Sequence, residues 1–204
     1  MTISAVVLAA GQSQRMGGSN KLLLPLGKET LVERIVGVVS ASGASEVIVV
    51  LGYQASRVRK VLKQYPVTPV ENERYTEGMT TSIQAGVRAV SLLSQAVMIC
   101  LCDLPLIVPD ELKRLMEAFR RSAEAKSPRI IVPVFQGQRG NPVILPIRFR
   151  ADILRHRGLA GCRGVVTQNP DQVLEVEMST NHVVDDMDTR EDYDRVRKLL
   201  ESST

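Results

Sequence analysis

The sequence predicts a single α/β domain, with a mostly parallel sheet, helices on both of its faces and an antiparallel hairpin region in its second half. Three observations carry this prediction. Apolar runs of strand length, at residues 2–9, 46–52 and 96–105, alternate with stretches of helical periodicity, which is the pattern of successive βαβ units. The stretch PRIIVPVFQGQRGNPVIL (residues 128–145) reads as two strands joined by a glycine-containing turn. The 204 residues contain no repeat, no low-complexity segment and no linker that would divide them, so residues 1–204 are expected to form one domain.

The elements follow in order. TISAVVLA (residues 2–9) is rich in Val and Ile and ends at a glycine loop, so it reads as a buried strand. LLLPLG brings the chain back across the surface, and T-L-V-E then places a capping box at Thr30 and Glu33. The helix that follows presents Leu31, Ile35, Val38 and Val39 on one face and stops at Gly43. EVIVVLG is a second buried strand, followed by a helix over about 54–64. VTPVEN (residues 67–72) is a short strand whose proline puts it near a strand start or at an exposed edge. After Gly78 a helix is expected to run to about residue 93, before the buried strand AVMICLCDLP. Pro109 opens a long helix to about residue 125, with Leu112, Leu115, Met116 and Phe119 inward. The last third predicts short helices at 149–155 and 162–168 and strands at 172–176 and 182–184. Thr189 caps a final helix that turns Tyr193, Val196, Leu199 and Leu200 inward.

Composition narrows the function. Aromatics make up 3% of the chain and there is no Trp, which argues against base-stacking platforms for single-stranded nucleic acid. A net charge of +4 with no block of five or more like charges suits a small anionic substrate. No apolar run approaches membrane-spanning length, and the N-terminal stretch lacks a basic leader region. Cys100 and Cys102 alternate on one strand and would not readily pair. The expectation is of buried thiols in a reducing cytoplasm. His156 and His182 lie too far apart in sequence to form a zinc set.

The loop AGQSQRMGGSNK (residues 10–21) is the most informative stretch. It carries Gly11, Gly17 and Gly18, the small polar side chains Ser13, Ser19 and Asn20, and the cations Arg15 and Lys21. Glycines let backbone N–H groups approach an anion and the cations neutralise it, a combination suited to a polyphosphate. Neither G-x-x-x-x-G-K-[ST] nor G-x-G-x-x-G is present. Two further features lie near predicted strand ends. C-L-C-D-L-P puts Asp103 at a strand terminus, where an acid serves either as a turn cap or as a ligand for phosphate-bound Mg²⁺. V-D-D-M-D-T-R-E-D puts Asp186 and Asp188 on one side of an extended segment, while Glu191 and Asp192 complement the helix dipole.

V-L-A-A-G-x-S-x-R-M-G-x-x-x-K, followed by C-D-L-P and D-M-D-T-R-E-D, resembles the nucleotidyltransferases of the molybdenum cofactor type. These are the guanylyltransferases and cytidylyltransferases that act on molybdopterin. The resemblance implies a Rossmann-like three-layer sandwich of the nucleotide-diphospho-sugar transferase type and an Mg²⁺-dependent transfer that releases pyrophosphate. It implies nucleotide binding by Leu8, Ala9, Ala10, Gly11, Arg15, Lys21, Gly78, Thr81 and Ser82, with Arg15 and Lys21 catalytic. It implies metal binding by Asp103 and Asp188, with Asp186 less firmly placed, and acceptor contacts from Gly140, Asn141, Pro142 and Arg163.

L-A-A-G and D-x-D-T match the cytidylyltransferases, so CTP is expected over GTP and molybdopterin as acceptor. Two departures stand out. Cys102 replaces a glycine before the acid, and Leu159 stands where the cytidylyltransferases carry an acid in G-D-x-G-A-R. GTP, a sugar or polyol phosphate, or a non-catalytic cofactor-handling role for a client molybdoenzyme are the alternatives.

Overall fold

The computed structural model describes residues 1–16, 19–158 and 161–202. Its elements are β1 (Ile3–Ala9), β2 (Pro25–Leu26), β3 (Glu29–Thr30), α1 (Leu31–Ala41), β4 (Glu46–Leu51), α2 (Ala55–Val61), β5 (Thr68–Glu71) and α3 (Met79–Ala89). The second half contains β6 (Ala96–Leu101), α4 (Pro109–Glu124), β7 (Ile130–Phe135), β8 (Gln138–Arg139), β9 (Val143–Pro146), α5 (Arg150–Arg155), α6 (Arg163–Gln168), β10 (Val173–Glu177) and α7 (Arg190–Ser202).

The main sheet runs β10-β7-β9-β6-β1-β4-β5, with β8 paired to β7. β1 lies parallel to both β4 and β6, and β9 runs antiparallel between β6 and β7. Alternation along β1 sends Ile3, Ala5, Val7 and Ala9 into one apolar layer and Val6 into the other. The first layer is closed by α1, α4 and α7 through residues such as Ile35, Phe119 and Val196. The second is closed by α3, α5 and α6 through Ile83, Ile153 and Val166. The single α/β domain with helices on both faces is therefore observed as expected.

Because β1, β4, β6, β7 and β10 all point the same way, their carboxyl ends share one edge. β9 runs the other way, so the turn that precedes it opens at that edge too. Ligands of such sheets bind there.

Several local expectations are met. Thr30 and Glu33 form the capping box at α1. β5, with its proline, lies at one edge of the sheet. The three thiols are buried and unpaired, and burial pushes Cys100 and Cys162 up to about 12. No helix among the described residues is long and apolar enough to cross a membrane.

Other expectations are corrected. Residues 182–184 do not form a strand, because Asn181–Val183 is a 3₁₀ turn whose Val183 carbonyl accepts the Asn141 N–H at 2.9 Å. That carbonyl caps a neighbouring loop instead of joining a ladder. Helix α3 stops at Ala89, short of residue 93. The Glu46 carboxylate takes the Ser91 N–H at 2.8 Å and so draws the chain toward β6. The 128–145 stretch has three strands, with the β7–β8 reversal at Gln136 and Gly137 and the Arg139–Pro142 segment crossing to β9. On α7, Leu199 is 45% exposed, while Tyr193 and Val196 are buried.

Candidate active site

The loop after β1 is folded onto itself by short polar contacts. Asn20 caps the 3₁₀ turn Lys21–Leu23 by accepting the Leu22 N–H, and the Lys21 N–H donates to Ser13 Oγ at 3.0 Å. This aims the Lys21 side chain across the sheet edge. Its ammonium donates to Asp103 Oδ2 at 3.0 Å, to Asp188 Oδ1 at 2.7 Å and to the Met187 carbonyl at 3.1 Å. The Met187 N–H in turn donates to the Asp103 carbonyl at 2.8 Å, which fixes the two acid-bearing segments side by side.

Arg15 reaches Asp188 Oδ2 at 2.9 Å from an exposed position, its side chain 72% accessible against 12% for Lys21. Burial alone would lower the pKa of the Lys21 ammonium. Asp103 and Asp188 outweigh it and hold the pKa above 10.5, so the lysine is a cation at all ordinary pH values.

The two carboxylates fit a divalent ion. Asp103 Oδ1 is buried with no hydrogen-bond partner among the described residues. A buried acceptor left bare is costly unless a ligand satisfies it. No cluster of three or more His, Cys, Asp or Glu side chains arranged to hold a metal occurs among the described residues. Two carboxylates without such a cage suit Mg²⁺, which keeps waters and takes its other ligands from substrate phosphates. Asp186 is exposed beside them. Burial, then the charges of Asp188 and Asp103, push its carboxyl above the usual carboxylate range.

A cleft of about 420 Å³ opens at this edge. Of the residues expected to bind nucleotide, Leu8, Ala10, Gly11, Gly78 and Ser82 line it, together with Arg15 and Lys21, and both acids face it. Two do not line it. Ala9 points into the layer beneath the sheet, as its odd position on β1 requires. The Thr81 hydroxyl is turned to backbone, 2.9 Å from the Arg74 carbonyl, and accepts from Asn72 at 3.0 Å. Asn72 also donates to Ser82 at 2.9 Å, so this buried amide organises the loop before α3.

Sequence reasoning missed Tyr75 and Met79, which also line the cleft. Tyr75 was findable as a solitary aromatic in a polar loop, whereas Met79 had no local signal. Gly17 and Gly18 lie outside the described residues.

A second cavity of about 510 Å³ adjoins the first, and Met79 and Leu101 line both. Gly140, Asn141 and Arg163 line it, and Pro142, joined to Asn141 by a cis peptide, does not. A Cβ at Gly140 would fall on the Val183 carbonyl oxygen, well inside contact distance, so only glycine fits there. Leu159 lies outside the described residues.

This fold and this site are those of a nucleotidyltransferase. The chain belongs to the MobA-like NTP transferase domain family, whose profile matches residues 5–173. It is 29% identical to nicotine blue oxidoreductase of Paenarthrobacter nicotinovorans, over 95% of this chain and 96% of that protein. It is 23% identical to the molybdenum cofactor cytidylyltransferase of Escherichia coli, over 94% and 93%. Among solved structures it is similar to a nucleotidyl transferase from Methanothermobacter thermautotroptrophicus (TM-score 0.84, 25% identity, 100% of this chain and 99% of that one).

Proposed function

We propose that the protein transfers CMP from CTP to the phosphate monoester of molybdopterin, for delivery to a client molybdoenzyme. The observation that carries the transfer is the meeting of Lys21, Asp103 and Asp188 at the mouth of the nucleotide cleft. Ala10 lines the cleft, and its methyl in place of a glycine is the feature that we read as favouring CTP over GTP. The buried thiols Cys100, Cys102 and Cys162 support a cytoplasmic setting.

The acceptor phosphate attacks the α-phosphorus of CTP. A new P–O bond forms as the bond to the β-phosphate oxygen breaks, and pyrophosphate leaves. A monoester is mostly dianionic at pH 7, its second pKa being about 6, so no protein base is needed. Catalysis then consists of positioning and charge stabilisation. Lys21 and Arg15 turn from the carboxylates to the triphosphate and neutralise the departing pyrophosphate. Asp103 and Asp188 would hold Mg²⁺, which when bound supplies positive charge at the α-phosphate.

The oxidoreductase relative favours a second reading, in which the same cleft holds a dinucleotide for hydride transfer. The paired carboxylates around Lys21 favour the first, because they would hold a divalent cation which, with the Lys21 ammonium, stabilises negative charge developing on a phosphate, and hydride transfer develops none there. The deciding experiment is pyrophosphate release with CTP, GTP, ATP and UTP in turn, with Mg²⁺ and molybdopterin, against Asp103→Ala. NADH and NADPH oxidation are followed in parallel. Release with CTP that is lost in the variant supports the proposal. Release with GTP would reassign the base. Cofactor oxidation without release would favour the second reading.

A further inference from the structure

Two segments carry the acids of the cleft, residues 103–111 and residues 180–188, and they are joined at both ends. Near the cleft, the Met187 N–H donates to the Asp103 carbonyl at 2.8 Å. At the far end stands Glu111, eight positions after Asp103, opposite Thr180, eight positions before Asp188. The Thr180 hydroxyl donates to Glu111 Oε1, and His182 Nδ1 lies 3.2 Å from Glu111 Oε2. Between the two junctions, Leu104, Ile107, Val183 and Met187 are buried in one apolar layer.

Glu111 does more than a helix cap requires. It is the only buried charged side chain among the described residues, 9% exposed. Its Oε2 accepts the Val108 N–H at 2.9 Å, the same reach-back that Glu33 makes to the Thr30 N–H at 2.9 Å on α1. Glu33 caps its helix from a half-buried position. Withdrawing a carboxylate further from water is unfavourable unless added hydrogen bonds offset it. Thr180 and His182 supply those bonds to Glu111, and they come from the segment that leads to Asp188.

Glu111, Thr180 and His182 line neither cavity. We infer that Glu111, gripped by Thr180 and His182, is a positioning residue: it clasps the two acid-bearing segments at the end away from the cleft and so sets the spacing of Asp103 and Asp188 for a divalent cation. The inference rests on the metal role proposed for those acids and deepens it by naming what holds them in place. Mg²⁺ demands near-ideal octahedral geometry, so its carboxylates must be held, not merely present. In the nucleotide-free protein Lys21 ties the two acids together at 3.0 and 2.7 Å. Once its ammonium turns to a triphosphate that tie is gone, and the like charges repel. Arg195 holds Asp185 at 2.6 and 2.8 Å, which fastens the second segment to α7 and not to the first. The Met187–Asp103 bond and the Glu111 clasp then keep the segments in register.

The test titrates Mn²⁺ into the nucleotide-free full chain by electron paramagnetic resonance, with CTP affinity in EDTA as the second readout. Thr180→Val keeps the shape of the side chain, removes the hydroxyl and leaves the Glu111 cap on α4 in place. It is expected to weaken Mn²⁺ binding about tenfold, the scale of losing a partner that orients a metal ligand, with CTP affinity unchanged. The loss should be larger in the Lys21→Ala background, where the lysine tie is already absent. Thr180→Ser, which retains the hydroxyl, should bind Mn²⁺ as the wild type does. Glu111→Gln should weaken Mn²⁺ at least as much and lower Tm. Glu33→Gln, which removes the corresponding cap on α1, should lower Tm and leave Mn²⁺ affinity alone, so that spacing of the acids is separated from stability.

Unchanged Mn²⁺ affinity in Thr180→Val, or an equal loss in Glu33→Gln, would overturn the inference. A tenfold loss in Thr180→Val, in a protein that releases no pyrophosphate from any nucleotide, would uphold the clasp and strike the nucleotidyl-transfer reading instead. Absence of Mn²⁺ binding from both the wild type and Lys21→Ala would overturn the clasp together with the metal role.

Discussion

Lys21 Nζ lies 2.7 Å from Asp188 Oδ1, although 167 positions of sequence separate the two residues. Without nucleotide, the lysine neutralises the same carboxylates that a metal ion would. On the proposed metal role of Asp103 and Asp188, lysine and metal would compete for the acids until a triphosphate drew the ammonium away.

Lys21→Ala should show this competition directly. Turnover is expected to fall about a hundredfold or more, the scale of losing one charge-stabilising donor. Divalent-ion binding to the nucleotide-free protein should tighten, because the carboxylates lose their cation. Steady-state kinetics and calorimetric Mn²⁺ titration check the two halves, and unchanged turnover would remove Lys21 from the mechanism. Arg15→Ala, which removes an exposed partner, should lower turnover in the same direction.

Asp103→Asn keeps the shape of the side chain and removes its charge. Asp103 Oδ1 is bare and buried, so its loss should abolish metal-dependent turnover while CTP still binds weakly. Asp188→Asn should act in the same direction. Raising Mg²⁺ tenfold should rescue neither variant fully.

Ala10→Gly should widen the nucleotide cleft. The Ala10 Cβ packs toward Gly52, where an added Cβ would sit 2.8 Å from it, so the backbone around Ala10 is closely packed. The GTP-to-CTP ratio of kcat/KM is expected to rise about tenfold in Ala10→Gly, within the range that small changes in a pocket wall produce. A competition assay with both nucleotides measures it.

Asp192 closes the capping box of α7. Its carboxylate accepts from the Thr189 N–H at 2.9 Å and from the Asp188 N–H at 3.2 Å. The Thr189 hydroxyl, chiefly, then the backbone N–H groups, hold its pKa below 3.8 despite partial burial. A depressed carboxylate contributes stability that is present above the unfolded value and lost as pH falls through the folded one. Asp192→Ala is expected to cost about 1 kcal/mol at pH 7 and to flatten the loss of stability below pH 4. Urea unfolding across pH 3–7 tests this, and a drop in turnover would show that the cap also steadies Asp188.

Gly140→Ala should be poorly tolerated. Its Cβ would drive the turn away from Val183, at a cost of about 1–3 kcal/mol, or roughly 2–12 °C in Tm for a domain near 200 residues. Acceptor KM should rise while CTP affinity holds, since the displaced turn lines only the second cavity.

Much of this was legible because it is local. β1, the cationic loop, the Thr30 and Thr189 caps and the Asp103 strand end are patterns within a few residues. Even the placement of Ala9 and Ala10 in opposite apolar layers follows from period-two alternation. The 3₁₀ turn at Asn181–Val183 was not legible. Three residues of strand-like composition carry no sign that their carbonyl will cap a turn some forty positions away. Nor was the early end of α3, which the Glu46 carboxylate decides.

The sequence alone determined the class of sheet, the glycine-rich cationic loop and the acids that accompany it, because hydrophobic period, glycine freedom and side-chain charge are written residue by residue. Only the tertiary structure decided that Lys21, Asp103 and Asp188 meet, that Thr81 turns to backbone, and that an apolar cavity stands beside the nucleotide cleft. Those relationships depend on β9 running against its neighbours and on which helices close each face. They arise between elements far apart in the chain, where the packing of the whole domain sets the distance.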